Sequence, residues 1–160
     1  MRAFGVNILA YDPLLDAATL AGMGAAKVSL EDLLARSDVV SLHAPALEST
    51  HHMIDEQALA RMKDGAILLN LARGPLLDEA AVAEALASGK LGGLGADVVS
   101  VEPIAQDNPL LASPNTLLTP HIAWATRTAR QNITRIIAEN IAGWMAGQPK
   151  SVVNKAYLNG

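Results

Sequence analysis

Residues 66–99 read "AILLNLARGPLLDEAAVAEALASGKLGGLGADVV", and two kinds of pattern alternate within them. The apolar run AILLNLARG is a buried strand that breaks at Gly74-Pro75. The stretch DEAAVAEALASGK is a helix, with Asp78 as its N-cap and Gly89 as its stop. The glycine-edged run LGGLGADVV is a second strand. Two strands bridged by a helix are parallel neighbours, because a parallel pair needs a long crossover.

The same alternation extends in both directions. Upstream, VVSLHAP (39–45) reads as a buried strand running into a loop, and IDEQALARMKDG (54–65) as a helix capped by Asp55 and ended by Gly65. SLEDLLARSD (29–38) carries a capping-box pattern, with Ser29 ahead of Asp32. AKVS is a brief strand, LLDAATLAGMG a short helix from Leu14 to Gly24, and Val6 to Tyr11 a buried strand ending at Asp12. The first residues read as the exposed end of a helix. Downstream, SVEPIAQDNPLLASPN is irregular and proline-rich, TLLTPH is a short strand, and a long helix runs from about Trp124 to Met145. The fold class is α/β.

Composition narrows the function. The chain has 160 residues, enough for one core, and 51% are hydrophobic while only 3% are aromatic, so that core is Ala, Leu, Ile and Val. A net charge of −4 without a long basic run speaks against nucleic acid. The absence of cysteine removes thiol chemistry, disulfides and Cys-based metal sites. No apolar run approaches the roughly 20 residues of a membrane span, and no signal-peptide pattern opens the chain, so neither membrane nor export is expected. A cytoplasmic location fits.

Asp12 raises a question about nucleotides. In a dinucleotide-binding unit an acid at the end of the second strand holds the adenosine ribose, about 20 residues after a glycine loop. Two glycine clusters occur, Gly22 with Gly24 and Gly92, Gly93 with Gly95. Each follows a helix and precedes a strand, whereas phosphate binds where a helix begins. Both read as helix stops and turn residues.

Polar residues at strand ends are the candidates for chemistry, since open α/β sheets place ligands there. Arg73 follows an apolar strand and offers a fork to a carboxylate, or equally a surface ion pair. Asp97 stands in an apolar context, and Glu102 precedes Pro103. His121 follows Pro120, and with a carboxylate partner it suits general acid–base work. His43 lies at a strand end, where it is a candidate to line a ligand crevice. His51 and His52 resemble a solvated loop, with no third ligand at metal-binding spacing.

Taken together, YDP, LHAP with a later T and H, LLNLARGPLLDEAAVAEAL, SGKLGGLGADV, EP, NPLL, LLTPHIAWAT and SVVN resemble the D-isomer-specific 2-hydroxyacid dehydrogenases, in particular their glycerate dehydrogenase (hydroxypyruvate reductase) branch. The similarity runs from about Phe4 to Asn154. It implies an incomplete Rossmann-like, doubly wound parallel sheet with flanking helices and a long C-terminal helix. Residues 1–147 would be a partial NAD-binding domain and 148–160 a C-terminal tail. The resemblance implies that Arg73 binds the substrate carboxylate, that His121 exchanges a proton with the substrate oxygen, and that Glu102 holds the imidazole so that a proton is available near neutral pH. Asp12 would take the ribose hydroxyls and favour NAD over NADP, with Pro13 beside it. His43, Ala44, Pro45 and Thr50 would lie along the adenosine half. Leu71, Ala72 and Arg73 would border the nicotinamide, Asp97 would hold its carboxamide, and His121 and Ala123 would complete the site. Leu71 stands where the family commonly has Thr, Ser or Cys. No metal is implied.

The family places a substrate domain, a first strand, the glycine loop and its helix ahead of this sequence. The resemblance therefore implies a truncated dehydrogenase acting on a small 2-hydroxy or 2-oxo acid. Its missing strand would lie between VNILAY and VVSLHA, leaving two open edges that either close on each other or recruit a second copy, the latter being the expectation. A non-catalytic nucleotide-binding or interaction module is the competing reading. A short enzyme completed by another chain is a third.

Overall fold

The helices begin where short polar side chains take up the free amides of a first turn. In the computed structural model, which describes residue 3 and residues 5–155, Asp16 accepts from the Thr19 amide at the start of α1 (Ala17–Gly22). Ser29 accepts from the Asp32 amide ahead of α2 (Leu30–Arg36), and Asp55 from the Ala58 amide ahead of α3 (Glu56–Arg61). Asp78 takes two, from Ala80 and Ala81, ahead of α4 (Glu79–Ala87). Each such cap contributes about 1 kcal/mol. The start of the chain expected to be a helix end lies largely outside the described residues.

The strands are β1 (Leu9–Ala10), β2 (Ala26–Lys27), β3 (Val39–Leu42), β4 (Ala66–Asn70), β5 (Leu91–Ala96) and β6 (Thr116–Leu118). The last four form one parallel sheet in the order β3-β4-β5-β6. The first two form a separate parallel pair, with Leu9 opposite Ala26 and Ala10 opposite Lys27. The two expected open edges therefore do not close on one another.

That separation corrects one expectation. Val6 to Tyr11 is not a buried strand: only Leu9 and Ala10 are paired, and Val6 and Tyr11 are exposed. A parallel strand is buried when it has neighbours on both sides and helices on both faces. Among the described residues β1 has β2 alone. In β3 burial alternates, with Val40 and Leu42 inside and Val39 and Ser41 exposed.

The core is built as the composition dictates, from Leu, Ile, Val and Ala with Met62 added. Ile54, Leu68, Leu76 and Val82 are fully excluded from solvent. Two polar residues, Asn70 and Asp97, are buried with them, where β4 and β5 end.

The described residues form two compact units, one running to His121 and the other beginning at Ile122. The second contains α5 (Arg127–Met145), which starts three residues later than the sequence suggests because Thr126 is its cap. No residue of α5 is buried. Ile133, Ile137, Ile141 and Trp144 recur at helical spacing and are exposed, while Arg135 and Glu139 pair along the helix.

Candidate active site

Register brings the candidate residues to one edge. Leu42 lies opposite Asn70, Asn70 opposite Ala96, and Ala96 opposite Leu118. These are the last residues of β3, β4, β5 and β6, so the four loops that follow leave the sheet side by side. His43, Arg73, Asp97, Glu102 and His121 all belong to those loops.

The turn after β4 is fixed by a buried amide. Asn70 accepts from the Ala72 amide at 3.1 Å and donates to the Arg73 carbonyl at 2.8 Å. This holds Leu71, Ala72 and Arg73 in place while Leu71 and the Arg73 side chain stay exposed. The guanidinium donates to the Ala72 carbonyl at 2.6 Å. Gly74 then passes so close to the next loop that an added Cβ would stand 1.9 Å from the Val99 carbonyl carbon. The absence of a side chain at Gly74 thus lets the Arg73 turn lie against the segment leading to Glu102.

Asp97 joins β4 to the histidine. Its amide donates to the Asn70 carbonyl at 3.0 Å and its own carbonyl accepts from the His121 amide at 2.8 Å. The Thr119 hydroxyl donates to its carboxyl oxygen Oδ1. His121 is held in the left-handed backbone region, φ +54°, which non-glycine residues seldom occupy and which clusters at functional sites. From there its Nδ1 lies 2.7 Å from Glu102 Oε2, although the two residues are 19 apart in sequence. A carboxylate can only accept, so Nδ1–H donates and Nε2 becomes the nitrogen that can exchange a proton. The hydrogen bond from His121 holds the Glu102 carboxyl below its ordinary range. Desolvation opposes this lowering, the Val99 amide, 3.4 Å from Oε1, supports it, and the charge of Asp97 opposes it in turn.

Asp12 stands two residues beyond β1 and turns its Oδ1 onto the amides of Leu14 at 2.7 Å and Leu15 at 3.0 Å. Those two bonds, with Lys27 assisting, lower its pKa. Pro13 follows, exposed. His43 meets Ser41 through Nε2 at 3.0 Å. Thr50 donates to the Pro45 carbonyl at 2.7 Å and accepts from the Leu47 amide at 2.9 Å, so it closes the loop that carries Ala44 and Pro45. Ala123 falls in the second unit. His51 and His52 stack with ring centroids 3.9 Å apart, and among the described residues no three metal-ligating side chains gather. No helix among them is long and apolar enough to cross a membrane.

A dinucleotide suits these groups. Asp12, held ionised by two amides, can accept from ribose hydroxyls, and Asp97 puts a buried carboxyl at the sheet edge where an amide would find an acceptor. Two residues that shape the site escaped the sequence reading. Asn70 had a signal, a polar residue closing an apolar strand. Thr119 had none, because its partner Asp97 is distant in sequence.

The comparisons agree with this geometry. Residues 1–123 match the model of the D-isomer specific 2-hydroxyacid dehydrogenase NAD-binding domain. A hydroxypyruvate reductase of Blautia hydrogenotrophica is 43% identical over 154 residues, covering 96% of this chain and 48% of that protein. A glyoxylate reductase of Korarchaeum cryptofilum is 42% identical over 158 residues, covering 98% and 48%. The crystal structure of an Aquifex aeolicus D-lactate dehydrogenase, complexed with NAD and lactic acid, superposes with a TM-score of 0.82 at 35% identity, covering 92% and 48%. The chain thus spans about half the length of these relatives. The parallel strands ending in register all lie within the span that matches the family model: this chain belongs to the D-isomer-specific 2-hydroxyacid dehydrogenases and carries sequence of their NAD-binding domain.

Proposed function

We propose that the whole protein catalyses NAD-dependent interconversion of a small 2-hydroxy acid and its 2-oxo acid, glycerate and hydroxypyruvate being the first pair to test. The observation that carries this reading is the 2.7 Å contact between His121 and Glu102 at the carboxyl edge of the sheet. When bound, NADH supplies a hydride to the substrate carbon and NAD+ accepts one from it. In reduction, His121 gives the proton from Nε2 to the carbonyl oxygen, and in oxidation it takes that proton from the hydroxyl. Glu102 fixes the ring's tautomer and stabilises the imidazolium. Arg73 presents its guanidinium fork to the substrate carboxylate. Leu71 and Ala72 border the nicotinamide, Asp97 accepts from its carboxamide, and Asp12 binds the adenosine ribose. The adenosine half runs past His43, Ala44, Pro45 and Thr50. A cytoplasmic location, which suits a chain without cysteine, and association with a second copy belong to the same proposal.

The test joins these 160 residues to the N-terminal half of the Blautia relative and follows NADH oxidation with hydroxypyruvate and with glyoxylate. Turnover is expected, and His121→Asn should lower kcat by about 10²–10⁴-fold. Undiminished turnover in His121→Asn would refute the assignment. On their own the 160 residues should show negligible turnover, since no glycine loop opens a helix among the described residues.

A further inference from the structure

The segment that carries Glu102 is held from outside the site by a residue with no place in the chemistry. Glu79 is the first residue of α4, directly after the Asp78 cap. Its Oε1 accepts from the Ser100 amide at 2.7 Å. Its Oε2 accepts from the Ser100 hydroxyl at 2.7 Å and from the Asn108 side-chain amide at 2.8 Å. Ser100 and Asn108 lie on either side of Glu102, so one carboxyl group clasps both ends of the loop. The far end is tied onward to the core: Asn108 caps the next turn through the Leu110 amide at 3.0 Å, and Leu110 is buried. At the near end, the backbone of Val99 and Ser100 lies against Gly74. The loop contains no regular secondary structure that would fix it otherwise.

We propose that Glu79 is a positioning residue for this site: by clasping Ser100 and Asn108 it sets the loop so that Glu102 reaches His121 Nδ1. The catalytic relevance of that contact rests on the function proposed above. The clasp matters because Glu102 is exposed, and an exposed pair gains little against the entropy of holding its side chains in one geometry, so a backbone fixed beforehand favours it. All three partners of Glu79 are donors, which suits a group that only accepts. A glutamine there must turn its NH2 toward a donor and lose at least one of the bonds. An acid in a first helical turn also favours the helix dipole, and that merely structural role would affect helix stability without reaching Glu102.

The two roles separate in the titration of Glu102, followed by carbon NMR of labelled glutamate side chains in the 160-residue chain. In the unaltered chain the Glu102 carboxyl titrates below its ordinary range because His121 donates to it. In Glu79→Gln that midpoint is expected to rise toward an ordinary glutamate. Ser100→Ala, which removes only the hydroxyl bond, should move it the same way by less, and decides the matter if Glu79→Gln does not fold. An unchanged Glu102 midpoint in a folded Glu79→Gln, or in Ser100→Ala where it must stand in, overturns the proposal. His121→Asn should raise the midpoint as well; if it does not, the His121–Glu102 contact itself is refuted and the proposal falls with it. Loss of dehydrogenase activity alone bears on the function, whereas the Glu102 midpoint bears on Glu79.

Discussion

Gly74 and Asn70 hold Arg73 in place by opposite means, one by lacking a side chain and one by burying one. Gly74→Ala forces the Arg73 turn away from Val99, and overpacking of this kind costs about 1–3 kcal/mol. Asn70→Ala strands the Ala72 amide and the Arg73 carbonyl, at about 1–3 kcal/mol. Urea unfolding should show both losses, and a midpoint unchanged in both variants would contradict the role of this turn. Acid acts on the neighbouring pair. The Glu102 carboxyl titrates below its ordinary value, so its contact with His121 contributes above the unfolded-state value and is lost as pH falls through the lower folded one. The His121 ring nitrogen shifts should record that loss. If Asp12 is the ribose acceptor proposed above, replacement by alanine removes that acceptor and a charge that would repel a 2′-phosphate, so in the joined enzyme the expected preference for NADH over NADPH should narrow; equal use of both by the unaltered enzyme would refute the assignment. The pairing of Glu102 with His121 came from the resemblance; only the placement of Arg73 and His121 shortly after apolar strands was legible. Glu79 was not, because its partners lie 21 and 29 residues away and nothing local marks them.

Among the elements, the starts of α2, α3 and α4 were legible because a cap and its amide are two or three residues apart, as at Ser29, Asp55 and Asp78. The starts of α1 and α5 each fall three residues later than the expected Leu14 and Trp124, at the caps Asp16 and Thr126. Strand extent was harder to read, because pairing depends on a neighbour remote in sequence. The apolar run 6–11 meets every local criterion for a strand, yet only two residues of it find a partner. Hydrogen exchange should reflect the same difference. Amides of β4, flanked by β3 and β5 around the fully buried Leu68, should exchange slowest, and those of β1 and β2 orders of magnitude faster. Comparable protection in the two sheets would contradict this ranking.

For the molecule as a whole, the outer edge of β3 and the apolar stripe of α5 are surfaces on which another chain can settle. Light scattering of the 160-residue chain is expected to show self-association at micromolar concentration, and a stable monomer would refute it. The α/β class and the shared strand edge followed from alternation alone. That β1 and β2 stand apart from the main sheet did not, since it depends on what lies between them. The order β3-β4-β5-β6 is also the order of synthesis. Each strand docks on the one made just before it, with no later strand inserted between two earlier ones. This four-stranded sheet can therefore zip together vectorially as the chain leaves the ribosome, every loop closure being one crossover long. The loop of His121 comes after the last strand to dock, so its contact with Glu102 forms only once the sheet beneath it exists.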